Sequence, residues 1–350
     1  MSRVPASRID QSVIGQAARL IQRGEVVAFP TETVYGLGAD ATNVRAVAKI
    51  FRAKRRPHFD PLIVHVGGME EARVLWRRCP AIACRLMERF WPGPLTLVLP
   101  KTARIPDLVT AALPTVAIRC PDHPVAQALI RTAGCPIAAP SANRFGHSSP
   151  TTAQAVEEEL GDAVPLILDA GPTPLGIEST VVGFRGTTPR LLRPGGVPIE
   201  QIQRLVGTLA SLSRSPRPHA PGMLPRHYAP GRPLYLLEDS PHRSTRRRGS
   251  QPLNGSLGLL AFTREAHLPG VDHIEVLSRR GDLIEATANF FQALRRLDAL
   301  RPRAILATPL PMRGLGRALM DRLRRASSGT ACVSGGIVWT VQRSEEHAWL

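Results

Sequence analysis

The chain has 350 residues, enough for one large domain or two smaller ones, and 43% of them are apolar, as in a packed globular protein. Its 45 Lys and Arg against 28 Asp and Glu leave a net charge of +17, which suits a protein that meets phosphates as nucleotide or RNA, although an arginine-favouring base composition gives the same excess. No apolar run is long enough to span a bilayer, residues 1–11 lack the apolar core of a signal peptide, and the five cysteines form no C-x-x-C pair, so a membrane span, secretion, a disulfide frame and a zinc site are all disfavoured and a cytoplasmic location is expected.

In chain order, Val13, Ala17, Leu20 and Ile21 form a helical stripe stopped by Gly24, and 26–29 reads as a buried strand ending at Pro30. A second helix carries Val47, Ile50 and Phe51 into the basic cluster 52–56. The next strand is 62–66, and 69–76 and 80–90 read as helices. Short apolar runs at 96–99, 115–118, 136–139 and 166–168 read as strands. A helix at 152–160 closes on Gly161, and 179–184 and 190–192 read as late strands. Strands alternating with helices predict an α/β layer fold. The stretch 209–231 is rich in Ser, Pro, Arg and Gly and reads as a linker. A smaller α/β unit follows, with strands at 234–237, 257–262, 274–277 and 305–307. Its helices carry Leu283, Thr287, Phe290, Leu294 and Leu297, and then 316–325; 242–256 reads as a long loop. The expected division is therefore 1–208, a linker 209–231, and 232–350.

Five clusters could carry chemistry. There is no P-loop, and neither Gly36-Leu37-Gly38 nor Gly314-Leu315-Gly316 completes a dinucleotide fingerprint, so any ATP must be held by side-chain cations and loop amides. PTETVYGLGADA, at 30–41, follows a strand and reads as a hydroxyl-bearing loop, either a ligand site or a plain turn. In AKRRPHFDPLIVHV, at 53–66, Lys54 and Arg56 stand just before Pro57. They suit a polyphosphate as point charge and fork, projecting from a loop start; a solvated basic helix end reads the same way. Only three lysines occur, Lys49, Lys54 and Lys101, so a Lys retained at 54 hints that a compact ammonium is needed there. His65 alternates with apolar neighbours and alone reads as a structural histidine. In PSANRFGHSSPTT, at 140–152, Ser141 and Asn143 can approach phosphate or ribose, or form an Asx/Ser turn. LGIESTVVGF to LLRPGG, at 175–196, offers Ser179 and Arg193. APGMLPRHYAP, at 220–230, is too specific for an inert tether and reads as a lid.

In this order and at these separations the clusters resemble the YrdC-like threonylcarbamoyl-AMP synthases, in the longer form with an appended C-terminal domain. The likeness reappears in GLGRALMDRLRRA, at 314–326. It implies a twisted mixed open sheet flanked by helices, plus a smaller C-terminal α/β domain of Rossmann-like type. The implied activity is formation of threonylcarbamoyl-AMP from L-threonine, bicarbonate and ATP, with magnesium carried on the ATP phosphates. The product would pass to a tRNA threonylcarbamoyl transferase complex, with weak tRNA binding a further expectation. The resemblance assigns Lys54, Arg56, Ser141 and Asn143 to catalysis. It places Arg56, Asp60, Thr115, Ser141, Ser149, Arg193 and Tyr228 along ATP, and Thr33, His65, Arg119, Ala139 (through its backbone) and Ser179 around threonine. This sequence departs from the family where Asp60 replaces a common Asn, Phe145 a Ser, and Leu224-Pro225 a basic stretch. A related carbamoyltransferase of hydrogenase maturation would carry C-x-x-C pairs, which are absent. A plain RNA binder would need no ordered K-x-R and S-x-N, and aromatics for base stacking are few.

Overall fold

Alternating apolar residues build two sheets, each in its own unit of the chain: Met1–Phe145 with Ser149–Met223, and Gly146–Ser148 with Leu224–Leu350. This computed structural model describes residues 2–5, 9–211, 222–224, 226–238, 250–263, 268, 270–334 and 337–342. Residues 212–221 and 225 of the expected linker, and 242–249 of the expected loop, lie outside them.

The first unit runs β1 (Ser2–Pro5), α1 (Gln11–Gln22), β2 (Val27–Phe29), β3 (Gly36–Asp40), α2 (Val44–Lys54), β4 (Ile63–His65), α3 (Met69–Arg73) and α4 (Ala81–Phe90). It continues with β5 (Leu95–Pro100), α5 (Asp107–Thr110), β6 (Thr115–Arg119), α6 (Pro124–Ala133), β7 (Ile137–Ala138) and α7 (Ala153–Leu160). It ends with β8 (Leu166–Asp169), β9 (Thr180–Arg185), β10 (Thr188–Arg193), α8 (Ile199–Val206) and β11 (Ala210–Ser211). The eleven strands form one mixed sheet in the order β1-β8-β2-β3-β7-β4-β6-β5-β9-β10-β11.

Strand alternation divides the sheet into two unlike faces. Leu62, Val64, Leu95, Leu97, Val116 and Ile118 point into the larger core, where Val47, Ile50 and Phe51 of α2 and Leu86 and Met87 of α4 cover them. On the opposite face, α1 and α6 bury Ile14, Ile21, Leu129 and Ile130 against Val27, Phe29, Leu166 and Leu168. Farther along that second face, Ile63, Val98, Ala117 and Val181 make only a small apolar floor, packed by Leu192 and Met223. Beside the floor, His65 stands across from Arg119 in β4/β6 register, and Thr96 across from Arg119 in β5/β6 register. The large apolar cluster on this face ends where these polar residues begin.

Three expectations change. The motif 30–41 is not all loop: Gly36–Asp40 is a strand, antiparallel to β2. A Cβ on Gly38 would lie 2.6 Å from the Phe29 ring and 2.7 Å from Ile137, so the glycine admits close strand packing. The helix at 69–76 stops at Arg73. Helix α6 was not expected, although its N-terminal Pro124, the His123 cap and the left-handed Gly134 are ordinary signals.

The second unit holds β12 (Leu234–Leu237), β13 (Gln251–Pro252), β14 (Leu257–Ala261), β15 (His273–Val276), α9 (Leu283–Ala299), β16 (Ala304–Ala307), α10 (Gly316–Ala326), β17 (Gly329–Ser334) and β18 (Ile337–Gln342). Its sheet order is β13-β18-β17-β12-β16-β14-β15. The strands from β17 to β15 pair parallel, and β18 and β13 add antiparallel edges. Helix α9, capped by Asp282, buries Phe290, Phe291, Leu294 and Leu297, each worth about 1.5–3 kcal/mol.

Candidate active site

At the end of β6 the Arg119 side chain is buried, 3% exposed. Its Nη1 donates to Thr33 Oγ1 at 2.8 Å and its Nε to the Gly93 carbonyl at 3.3 Å. Its Nη2 lies 2.6 Å from Glu32 Oε1. The 31–34 turn is held by Thr31, whose hydroxyl accepts from the Thr33 and Val34 amides and lies 2.7 Å from Thr33 Oγ1. His65 is buried beside them, its ring edge-on to Phe29. Burial, reinforced by the Arg119 charge, pushes its pKa down to about 3, so the imidazole is neutral. Across β5, Thr96 Oγ1 and Ser179 Oγ are 2.7 Å apart. Arg193 Nη2 donates to the Ser179 carbonyl at 2.9 Å and to its hydroxyl at 3.3 Å. Gly195 permits this approach: a Cβ there would sit 2.3 Å from the Ser179 carbonyl carbon. Ala139, also buried, donates its amide to Ile63.

The K-x-R and S-x-N motifs meet, but not as two projecting cations. Lys54 is 1% exposed, and its Nζ donates to the Ser141 carbonyl at 2.5 Å and to the Asn143 carbonyl. Arg55 ends α2 in the left-handed region, φ 52°, and leaves Lys54 pointing inward. Two carbonyls satisfy the buried ammonium, and so the lysine ties the S-x-N loop to α2. Burial, and then the Arg56 charge, pushes its pKa well down. Arg56 also turns inward: it donates to the carbonyls of Asp60 and Pro61 and pairs with the Asp60 carboxylate at 2.8 Å. The negative charge that departs from the family pattern is thus paired. Burial raises the Asp60 pKa, opposed by Arg56, Lys54 and Arg193, which marks these three cations as its electrostatic neighbours. Phe145 lies 6.0 Å beneath the Arg56 guanidinium.

The Sua5/YciO/YrdC family model, described as telomere recombination, matches residues 19–195, and the model of the threonylcarbamoyl-AMP synthase C-terminal domain matches residues 197–328. The chain is 45% identical over 322 residues to the threonylcarbamoyl-AMP synthase of Bacillus subtilis, covering 90% of this chain and 93% of that one. The chain belongs to the Sua5/YrdC family of threonylcarbamoyl-AMP synthases. It is 44% identical to the Pyrococcus abyssi family member of that name, over 91% of this chain and 95% of that one. The crystal structure of P. abyssi Sua5 complexed with L-threonine superposes with a TM-score of 0.85 at 39% identity, covering 93% of this chain and 98% of that one.

Not every expected site residue joins these two clusters. Thr115 begins β6, opposite Pro100, about 13 Å along the strand from Arg119. Ser149 is buried and donates to Glu178 Oε1 at 2.5 Å. Tyr228 belongs to the second unit. There its carbonyl accepts from Ser148, its ring lies 5.8 Å from Phe291, and the Arg322 guanidinium stacks on it at 5.0 Å. Three polar residues were not singled out from the sequence: Glu32, Thr96 and Glu178. Glu32 and Glu178 lie inside the quoted motifs, and carboxylates set among small hydroxyls were the available signal; Thr96 looked like an ordinary strand residue.

Proposed function

We propose that the chain condenses L-threonine, bicarbonate and ATP into L-threonylcarbamoyl-adenylate and pyrophosphate, the activated donor for threonylcarbamoyl modification of adenosine in tRNA. The observation that carries this reading is likeness along nine-tenths of the chain to threonylcarbamoyl-AMP synthases, joined to a polar face that suits an amino acid beside a nucleotide. The threonine amine and bicarbonate form a carbamate with loss of water. A carbamate oxygen attacks the α-phosphorus of ATP, and pyrophosphate leaves.

Arg119 and Thr33 receive the threonine carboxylate, with His65, Ser179 and the Ala139 backbone around the rest of the amino acid. Arg56, Ser141, Asn143 and Arg193 would serve the nucleotide, with Asp60, Thr115 and Ser149 along it. Negative charge builds on the phosphoryl oxygens and the leaving group, where preorganised donors are each worth about 3 kcal/mol. Lys54 fixes the S-x-N loop through the Ser141 and Asn143 carbonyls. The described residues hold no group of three or more His, Cys, Asp or Glu that could cage a metal. Magnesium would enter as an ion carried on the ATP phosphates, which supply hard oxygen ligands. When bound it neutralises charge on the leaving pyrophosphate.

The product is a mixed anhydride that water destroys, so its consumer is a tRNA threonylcarbamoyl transferase close at hand, and the net charge of +17 suits weak tRNA contact. A cytoplasmic location fits this role; among the described residues no helix is long and apolar enough to cross a membrane. The test is pyrophosphate release by the purified protein, expected only when ATP, threonine and bicarbonate are all present. Turnover that ignores threonine would overturn the reading.

A further inference from the structure

Arg119 and Glu32 are opposite charges buried together, 3% and 8% exposed. Their nearest atoms are 2.6 Å apart, yet neither Arg119 Nη2 nor either Glu32 oxygen has a hydrogen bond of good geometry. The other donors of Arg119 are better engaged, Nη1 on Thr33 and Nε on Gly93. The Glu32 backbone is fixed as well, its carbonyl accepting from the Leu175 amide at 2.9 Å. A carboxylate so deeply buried, with one oxygen lacking any hydrogen bond, is costly unless a ligand uses it.

We propose that Glu32 recognises the amino group of the substrate amino acid, holding Arg119 in the ligand-free enzyme and turning to the ammonium when the substrate carboxylate takes its place on the guanidinium. This rests on the reading above that the pocket takes L-threonine. A carboxylate that grips Arg119 by two prongs needs Nη2, the nitrogen Glu32 faces. The displaced Glu32 would be a buried anion without a partner, and the incoming ammonium is the cation that satisfies it. Each charge of the zwitterion then meets its complement, and the pocket stays neutral throughout.

The remaining neighbours leave this exchange undisturbed. His65 is neutral, as described above. His123 is pushed down by burial, partly opposed by Glu32, and the Cys120 thiol is pushed up to about 11 by burial and stays protonated. Arg119 and Glu32 thus supply the full charges for the amino acid's two ends. None of the residues that the family resemblance assigned to threonine is an anion, and Glu32 fills that gap.

The test compares two ligands by calorimetric titration: L-threonine, and 2,3-dihydroxybutanoate of matching configuration, which keeps the carboxylate but has no amine. Wild-type protein should prefer threonine by roughly 10- to 100-fold. In Glu32→Gln, threonine should weaken by that factor while the analogue stays within about twofold, so the preference collapses. A preference that survives in Glu32→Gln overturns the proposal. Equal weakening of both ligands also overturns it, because Glu32 would then serve only to position Arg119. If Glu32→Gln does not fold, the wild-type pair and Glu32→Asp decide. Equal wild-type affinities for the two ligands overturn the proposal, as does a Glu32→Asp protein that weakens both alike; selective weakening of threonine supports it. Wild-type protein that binds ATP but neither ligand would instead count against threonine as substrate.

Discussion

The first unit buries Lys54, Arg56, Asp60, Arg119, Glu32, Glu178 and Arg193, each less than a tenth exposed, whereas the described residues of the second bury one charged side chain, Arg322. Removing an ion from water costs several kcal/mol, and a buried pair seldom stabilises a fold more than an apolar replacement would. The second unit follows the inexpensive rule. Helix α9 fills its core with Phe290, Phe291, Leu294 and Leu297, and Arg322 lies on the Tyr228 ring and pairs with Asp321 at 2.5 Å. The first unit has ample apolar cores on its sheet, and these can support a costly polar cluster. Charge retained at such expense is the signature of a binding site rather than of a stabilising network.

The sharpest way to break this comparison is at the lysine clamp. Lys54→Met keeps most of the side-chain volume but removes the donor shared by the Ser141 and Asn143 carbonyls. Pyrophosphate release should fall by about 100-fold or more, and urea unfolding should show a loss of about 2 kcal/mol. A variant with full turnover would remove the clamp from the mechanism.

A smaller effect separates the polar face by pH. His65 has a folded pKa of about 3, below its ordinary value of 6.5. Its contribution is therefore complete above pH 6.5 and is lost as pH falls toward 3. Between pH 7 and pH 5 the wild type should lose about 2 kcal/mol that His65→Asn does not lose, read as the difference between their urea melts. Parallel pH curves would show that the imidazole is not held neutral.

The smallest effect belongs to the second unit's surface. Arg296 meets Glu275 through two contacts of 2.8 Å, but its side chain is 53% exposed. Arg296→Ala should cost less than about 1 kcal/mol and leave pyrophosphate kinetics unchanged. A larger loss would mean that exposed pairs stabilise this unit more than its apolar core suggests.

Much of the architecture was legible because helices and strands impose different apolar spacings. The stripes of α1, α2, α9 and α10 and the apolar runs of β4 to β6 could be read directly. Strand β3 could not, since glycines mark turns in sequence and close packing in space, and only Phe29 and Ile137 reveal which applies at Gly38. Helix α8 and strands β17 and β18 were overlooked. Among site residues, the motifs named Lys54 and Arg56 but misjudged their direction. The turn at Arg55 is local, but the Ser141 and Asn143 carbonyls that receive Lys54 come from a distant part of the chain.

By itself, then, the sequence determined the family, the alternation that separates an apolar face from a polar one, and which loops carry cations and hydroxyls. Tertiary structure alone decided the distant pairings: Arg119 with Glu32 and Thr33, and Lys54 with the S-x-N backbone. The reason is physical. Local spacing fixes which side of a strand or helix a residue occupies, whereas the partner that makes a buried charge tolerable is supplied by whichever segment the sheet order brings alongside.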